Sequence, residues 1–171
     1  MTLPIKAERL YITEFNADMA ESVHLASLDE DNRKFQPDEV FETVEDAREA
    51  VTELMSFYAG NDSPLVYPVV LNDGRHIGHV QAVPIENGWE IGYHTAKPFT
   101  GRGYATEAVI AFLPFITDRL GIPQIFGICR ADNTASRKVL EKCGFVLELE
   151  LNAPYHGAEH RICRYKYKVS L

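Results

Sequence analysis

Between residues 89 and 129 the hydrophobic period of the chain changes twice, and that change dictates a topology. Residues 89–94 read as a strand. A loop carrying Gly101 and Gly103 follows it. Ala105, Ala108, Val109, Phe112, Leu113, Ile116 and Leu120 then recur at helical spacing until Gly121. Residues 124–129 form a short apolar strand. Two strands joined by a crossover helix imply a parallel pair with a right-handed connection. Pro114 lies inside the helical segment and removes the hydrogen bond to the Ile110 carbonyl, so a kink is expected there.

The rest of the chain surrounds this unit with antiparallel structure. Residues 9–15 carry β-favouring side chains and predict a first strand, after which Asn16 or Asp18 can cap a helix through Met19, Val23 and Leu25. Residues 29–42 are polar, contain Pro37 and read as an irregular connection. Thr43 and Asp46 form a capping-box pattern before a helix carrying Val51, Leu54, Met55 and Tyr58. Residues 65–71 and 76–83 flank the hairpin signal Asn72-Asp73-Gly74-Arg75, and Glu86-Asn87-Gly88 turns into the strand at 89–94. After the crossover come a helix over 133–143, closed by Gly144, and a final antiparallel pair at 145–151 and 160–169. The order β-α-α-β-β-β-α-β-α-β-β predicts a mixed α/β fold: a mostly antiparallel sheet with a central parallel pair and helices on its faces. At 171 residues the chain fits one domain, 1–171.

Composition narrows the partners. A formal net charge of -8 argues against nucleic acid and is compatible with a cationic substrate. Three widely spaced cysteines, Cys129, Cys143 and Cys163, lack a C-x-x-C pair and point to a reducing, cytoplasmic setting without structural disulfides. The first residues lack the pattern of a signal peptide, and no window has the length and apolarity of a membrane span. His156 and His160 lie four apart but have no evident third ligand, so no metal site is expected.

The loop at 100–106 is the chemically informative segment. The first N–H groups of a helix lack internal partners and carry the positive end of the helix dipole, and glycines allow an anion to approach them. Gly-x-Gly also occurs in loops with no ligand. A P-loop is excluded because Tyr104 follows Gly103, and a dinucleotide fingerprint is excluded because Thr106 stands where its third glycine belongs. A second motif, Asn133-Thr134-Ala135-Ser136-Arg137-Lys138-Val139-Leu140-Glu141-Lys142-Cys143-Gly144-Phe145, arrives one βα unit later. Asn133 suits a helix N-cap, and Ser136 falls on the same face. Strand alternation puts Glu90, Gly92 and His94 on one face.

Together, GYATEA and NTASRKVLEKCGF resemble the GNAT superfamily of N-acetyltransferases and, within it, the ribosomal-protein N-terminal acetyltransferase branch. ERLYITEF is similar to that branch's first strand. The resemblance implies acetyl-CoA as cosubstrate, with its pyrophosphate on Thr100, Gly101, Arg102, Gly103, Tyr104, Ala105 and Thr106. Thr100 departs from the family's Gln or Arg at that slot, which shifts the contact towards backbone N–H groups. Arg102 is either a charge-assisted contact to the phosphate or a solvated side chain.

The resemblance further places pantetheine between the strands at 89–94 and 124–129, with the thioester oxygen near a backbone N–H around Tyr93, His94 and Thr95. It makes Asn133 a pantetheine contact as well as a cap. It makes Ser136 the general acid, since Leu140 occupies the slot where many members have a tyrosine. Glu90 is the candidate general base, with His94 and His79 as alternatives. Residues 35–41 lie where the family shapes its acceptor pocket. The implied reaction is direct acetyl transfer to a primary amine, most simply a protein N-terminus. A small-amine acetyltransferase and a non-catalytic acyl-CoA-binding module are the alternatives, as a monomer or a homodimer.

Overall fold

The protein is described by a computed structural model covering residues 2–169. Eight strands form one sheet: β1 (Ile5–Lys6), β2 (Leu10–Ile12), β3 (Leu65–Leu71), β4 (His76–Ile85), β5 (Gly88–Thr95), β6 (Gln124–Arg130), β7 (Val146–Tyr155) and β8 (Ala158–Lys168). Their spatial order is β1-β2-β3-β4-β5-β6-β8-β7. Every neighbouring pair is antiparallel except β5 and β6, which run parallel and are joined through helix α4 (Tyr104–Leu120). The remaining helices are α1 (Ala20–Ser27), α2 (Glu30–Phe35), α3 (Val44–Phe57) and α5 (Thr134–Lys142).

Alternation along β5 shows how the helices are divided between the two faces. Tyr93 reaches Ser136 of α5, whereas the next residue, His94, reaches the Ala26 carbonyl of α1. On the α4 face, Val109, Phe112 and Ile116 are fully buried against Leu10, Ile12, Val80, Ile91 and Ile125. Burial of each such side chain contributes about 1.5–3 kcal/mol, so this layer is the main source of stability. A smaller cluster of Phe15, Val51 and Val66 holds α3 on the other face.

Several local expectations are met in detail. Thr43 and Asp46 form a reciprocal capping box at the start of α3. Gly121 ends α4 with φ 63°, its N–H donating to the Asp118 and Thr117 carbonyls. Helix α4 spans Tyr104–Leu120 with Pro114 inside it. The carbonyl that loses its partner belongs to Ile110, a residue 51% exposed, where water can replace the missing donor. Residues 29–42 are not irregular throughout. Asp29 Oδ1 accepts the Asn32 N–H at 2.8 Å and caps the six-residue α2, and Pro37–Glu39 make a 3-10 turn. Asn16 caps only the 3-10 turn Ala17–Met19 that precedes α1. No described helix is long and apolar enough to cross a membrane.

Candidate active site

β5 and β6 pair at only two positions, Glu90 with Phe126 and Ile91 with Gly127. Beyond them the strands diverge, leaving Gly92–Thr95 and Ile128–Arg130 as the arms of a fork. A cavity of about 720 Å³ fills the fork and continues to both faces of the sheet. On the α4/α5 face it is lined by the loop before α4 and by the start of α5. On the opposite face it is lined by α2, the Pro37–Glu39 turn and the β7–β8 hairpin end.

The loop before α4 is built for close approach. Gly101 and Gly103 have φ of 74° and 82°, a region open to glycine at little cost. Gly103 is the N-cap and has no side-chain cap bond, so the first N–H groups of α4 are left for an external acceptor. Thr100, Gly101, Gly103, Tyr104, Ala105 and Thr106 line the cavity. The Thr100 hydroxyl donates to the Lys97 carbonyl at 2.9 Å and so shapes the loop. Arg102 is exposed and does not line the cavity; its carbonyl accepts Arg9 Nη1 at 3.0 Å. Arg9 also pairs with Glu107 at 2.7 Å and lies 4.6 Å from the Tyr104 ring centre, so a residue of the first hairpin braces this loop from behind.

On α5, Asn133 Oδ1 accepts the Ser136 N–H at 3.1 Å, a regular N-cap. The Ser136 hydroxyl lies 2.8 Å from the Tyr93 hydroxyl, which also donates to the Ser136 carbonyl at 2.9 Å. Asn133, Ser136 and Tyr93 all line the cavity. Leu140 is buried and packs on Gly127, where a Cβ would meet Leu140 Cδ2 at 2.5 Å. It supplies packing, not a polar group. Lys138 and Lys142, one turn apart on α5, bring positive charge to the same wall. Burial pushes the Cys129 and Cys143 thiols up to about 12, so neither is a thiolate nucleophile near neutral pH.

The opposite end is carboxylate-rich. Glu90 lies at the fork and accepts a hydrogen bond from the Ile128 backbone. Burial, reinforced by the Glu39 charge, outweighs that bond and pushes its carboxyl up to about 7. Glu39 responds in the opposite direction. Burial alone would raise it, but His79 at 3.2 Å and a 2.9 Å bond from Gln81 hold it at about 2. His94 is shifted down, first by burial and then by the neighbouring His79, and its Nε2 is occupied by the Ala26 carbonyl at 2.9 Å. Asp38 and His156 meet at 2.7 Å, joining the 3-10 turn to the hairpin end. Gly92 gives space to Gln81, whose Nε2 would lie 2.6 Å from an added Cβ.

The structure therefore gathers Glu90, Tyr93, His94, Thr95, the Thr100–Thr106 loop without Arg102, Asn133 and Ser136 around one cavity. Asp29, Asn32, Glu39 and Gln81 join them, and Arg9 braces the loop from behind, without having been singled out in the sequence. Only Glu39 fell within a segment, 35–41, already placed near the acceptor.

Known proteins share this fold. The sequence matches the profile of the acetyltransferase (GNAT) domain over residues 9–146. It is 30% identical over 143 residues to the uncharacterized N-acetyltransferase YnaD of Bacillus subtilis (strain 168), covering 82% of this chain and 81% of that one. The crystal structure of a GNAT-family acetyltransferase from Bacillus anthracis superposes with a TM-score of 0.82 at 30% identity, over 96% of this chain and 97% of the other. RimL, a ribosomal L7/L12 alpha-N-protein acetyltransferase solved with coenzyme A, gives a TM-score of 0.82 over the same shares at 21% identity, a likeness of fold. With the profile spanning most of the sequence and the forked parallel pair at its centre, the chain belongs to the GNAT acetyltransferases.

Proposed function

We propose that this protein transfers the acetyl group of acetyl-CoA to a primary amine, and that a protein N-terminus is the acceptor. The observation that carries the reading is a single cavity through the β5/β6 fork with opposite chemistry at its ends. Free helix N–H groups, Lys138 and Lys142 line one end, and Glu90 and Glu39 line the other. The first end fits the anionic pyrophosphate of the cofactor. The second fits an ammonium ion that must lose a proton. The likeness in fold to the ribosomal L7/L12 enzyme supports the choice of a protein N-terminus.

Bound acetyl-CoA supplies the activated acyl group. Glu90, ionised above about pH 7, takes a proton from the incoming ammonium. The unpaired edge of β5 beyond Ile91 offers backbone N–H groups to the acyl oxygen. As the C–N bond forms and the C–S bond breaks, the Ser136 hydroxyl gives its proton to the departing sulfur and regains one from the acylated nitrogen, which becomes the neutral amide. Tyr93 holds that hydroxyl in place from 2.8 Å. His94 and His79 are less suited to the role, because one ring nitrogen of each is already engaged, by the Ala26 carbonyl and by Glu39.

The test is release of coenzyme A thiol from acetyl-CoA in the presence of N-terminal peptides and small amines. Amine-dependent release is expected. Ser136→Ala should lower kcat roughly 10-fold, less than the ~10²–10⁴ typical of a general acid, because coenzyme A thiolate leaves readily. Tight coenzyme A binding with no release on any amine would overturn the reading.

A further inference from the structure

We infer that the acceptor carries a second cationic group, seated among Asp29, Asn32 and Glu39 while its amine reacts at Glu90. The inference rests on acetyl transfer taking place at Glu90. Three carboxylates, Asp29, Glu39 and Glu90, line the acceptor end of the cavity. Among the described residues none of the three has an ion pair with lysine or arginine. Nearby acids do: Asp31 pairs with Lys97, Glu42 with Arg33 and Asp132 with Arg130. Asp29 has the Asn32 N–H on Oδ1 at 2.8 Å and His94 on Oδ2 at 3.8 Å, and Glu39 has His79 and Gln81.

Asn32 supplies an independent indication. It is 3% exposed and lines the same cavity. Its Nδ2 donates to the Ser27 carbonyl at 2.9 Å and the Glu39 carbonyl at 3.1 Å, which fixes the amide and leaves Oδ1 over. That oxygen accepts no hydrogen bond, and neither do the buried Asp29 Oδ2 and Glu39 Oε2, which have only a histidine ring nitrogen beside them, His94 at 3.8 Å and His79 at 3.2 Å. Buried polar atoms are ordinarily paired. All three are hydrogen-bond acceptors, and an ammonium group presents three donors and no acceptor.

The spacing separates this seat from the reacting amine. On one face of the sheet Glu90 pairs with Val83, Gly92 with Gln81 and His94 with His79. Glu39 is held by Gln81 and His79, two to four residues along from Glu90, or roughly 7–13 Å at the usual rise per strand residue. A diamine spans such a gap, and so does a peptide whose N-terminal amine is followed by a lysine side chain.

Calorimetric titration of the coenzyme A-loaded protein tests the inference without turnover. Cadaverine is compared with pentylamine, and a peptide beginning Ala-Lys with one beginning Ala-norleucine. In at least one arm the dication is expected to bind about tenfold tighter or more, and Glu39→Gln should collapse that ratio. The arm that responds identifies a small diamine or a basic peptide as the source. Equal affinities in both arms, or no measurable binding of either dication, overturn the inference. Neither result bears on acetyl transfer, which the thiol-release assay judges separately.

Discussion

Glu90→Gln is expected to lower kcat/KM for amine acetylation about 10²–10³-fold while making the folded protein more stable at pH 8. Both effects follow from one environment. Glu90 sits at the fork, where burial first and the Glu39 charge second push its carboxyl from 4.5 to about 7. Wild-type activity should therefore rise with pH through about 7, as the carboxylate proposed to accept the amine's proton forms. The glutamine variant should lose that limb of the profile. The stability sign runs the other way. Between pH 4.5 and 7 the unfolded chain has released this proton and the folded chain still holds it. The stability that goes with the protonated carboxyl is thus complete below 4.5 and lost as pH rises through 7. Glutamine never ionises, so at pH 8 it should recover on the order of 2–3 kcal/mol. Thermal melts at pH 5 and pH 8 check this, with the gain confined to the higher pH. A group kept at the expense of stability is what a functional carboxylate looks like.

Gly78→Ala should destabilise the fold by about 3–4 kcal/mol, combining overpacking with a strained backbone. Gly78 has φ of 151°, and an added Cβ would lie 2.0 Å from the His94 carbonyl oxygen. That neighbour is backbone, in the strand whose far edge forms the fork, and cannot swing aside. By contrast, an added Cβ at Gly101 meets nothing within 4 Å. Gly101→Ala should therefore cost only its φ, about 1–2 kcal/mol. Chemical denaturation of the two variants separates the cases. Equal and small losses would show that β4 and β5 do not approach as closely as described.

What could be read from the sequence was whatever repeats at short range. The crossover helix announced itself through Val109, Phe112 and Ile116, and the cap of α5 through Asn133 and Ser136. The parallel pair followed from that order alone. The fork was legible only through the family resemblance, which placed pantetheine between the strands at 89–94 and 124–129. Nothing in residues 89–94 or 124–129 says that pairing stops after Ile91 and Gly127, because that depends on how two strands far apart in sequence twist past each other. α2 was missed because five polar residues and a single Phe carry no apolar period, although Asp29 ahead of Asn32 is a fair capping signal. The Arg9–Glu107 brace joins residues 98 positions apart, and the resemblance of the first strand gave no role to its arginine. Likewise, the carboxylates at Asp29 and Glu39 gain meaning only when their segment folds over β4 and β5.

The central claim is that coenzyme A lies through the fork, with its pyrophosphate on the loop before α4. Amide hydrogen exchange with and without saturating coenzyme A tests it directly. Slowed exchange is expected at Gly101–Thr106, along Gly92–Thr95 and at the start of α5 around Asn133 and Ser136. Slowing confined to other segments, with these three unchanged, would contradict it.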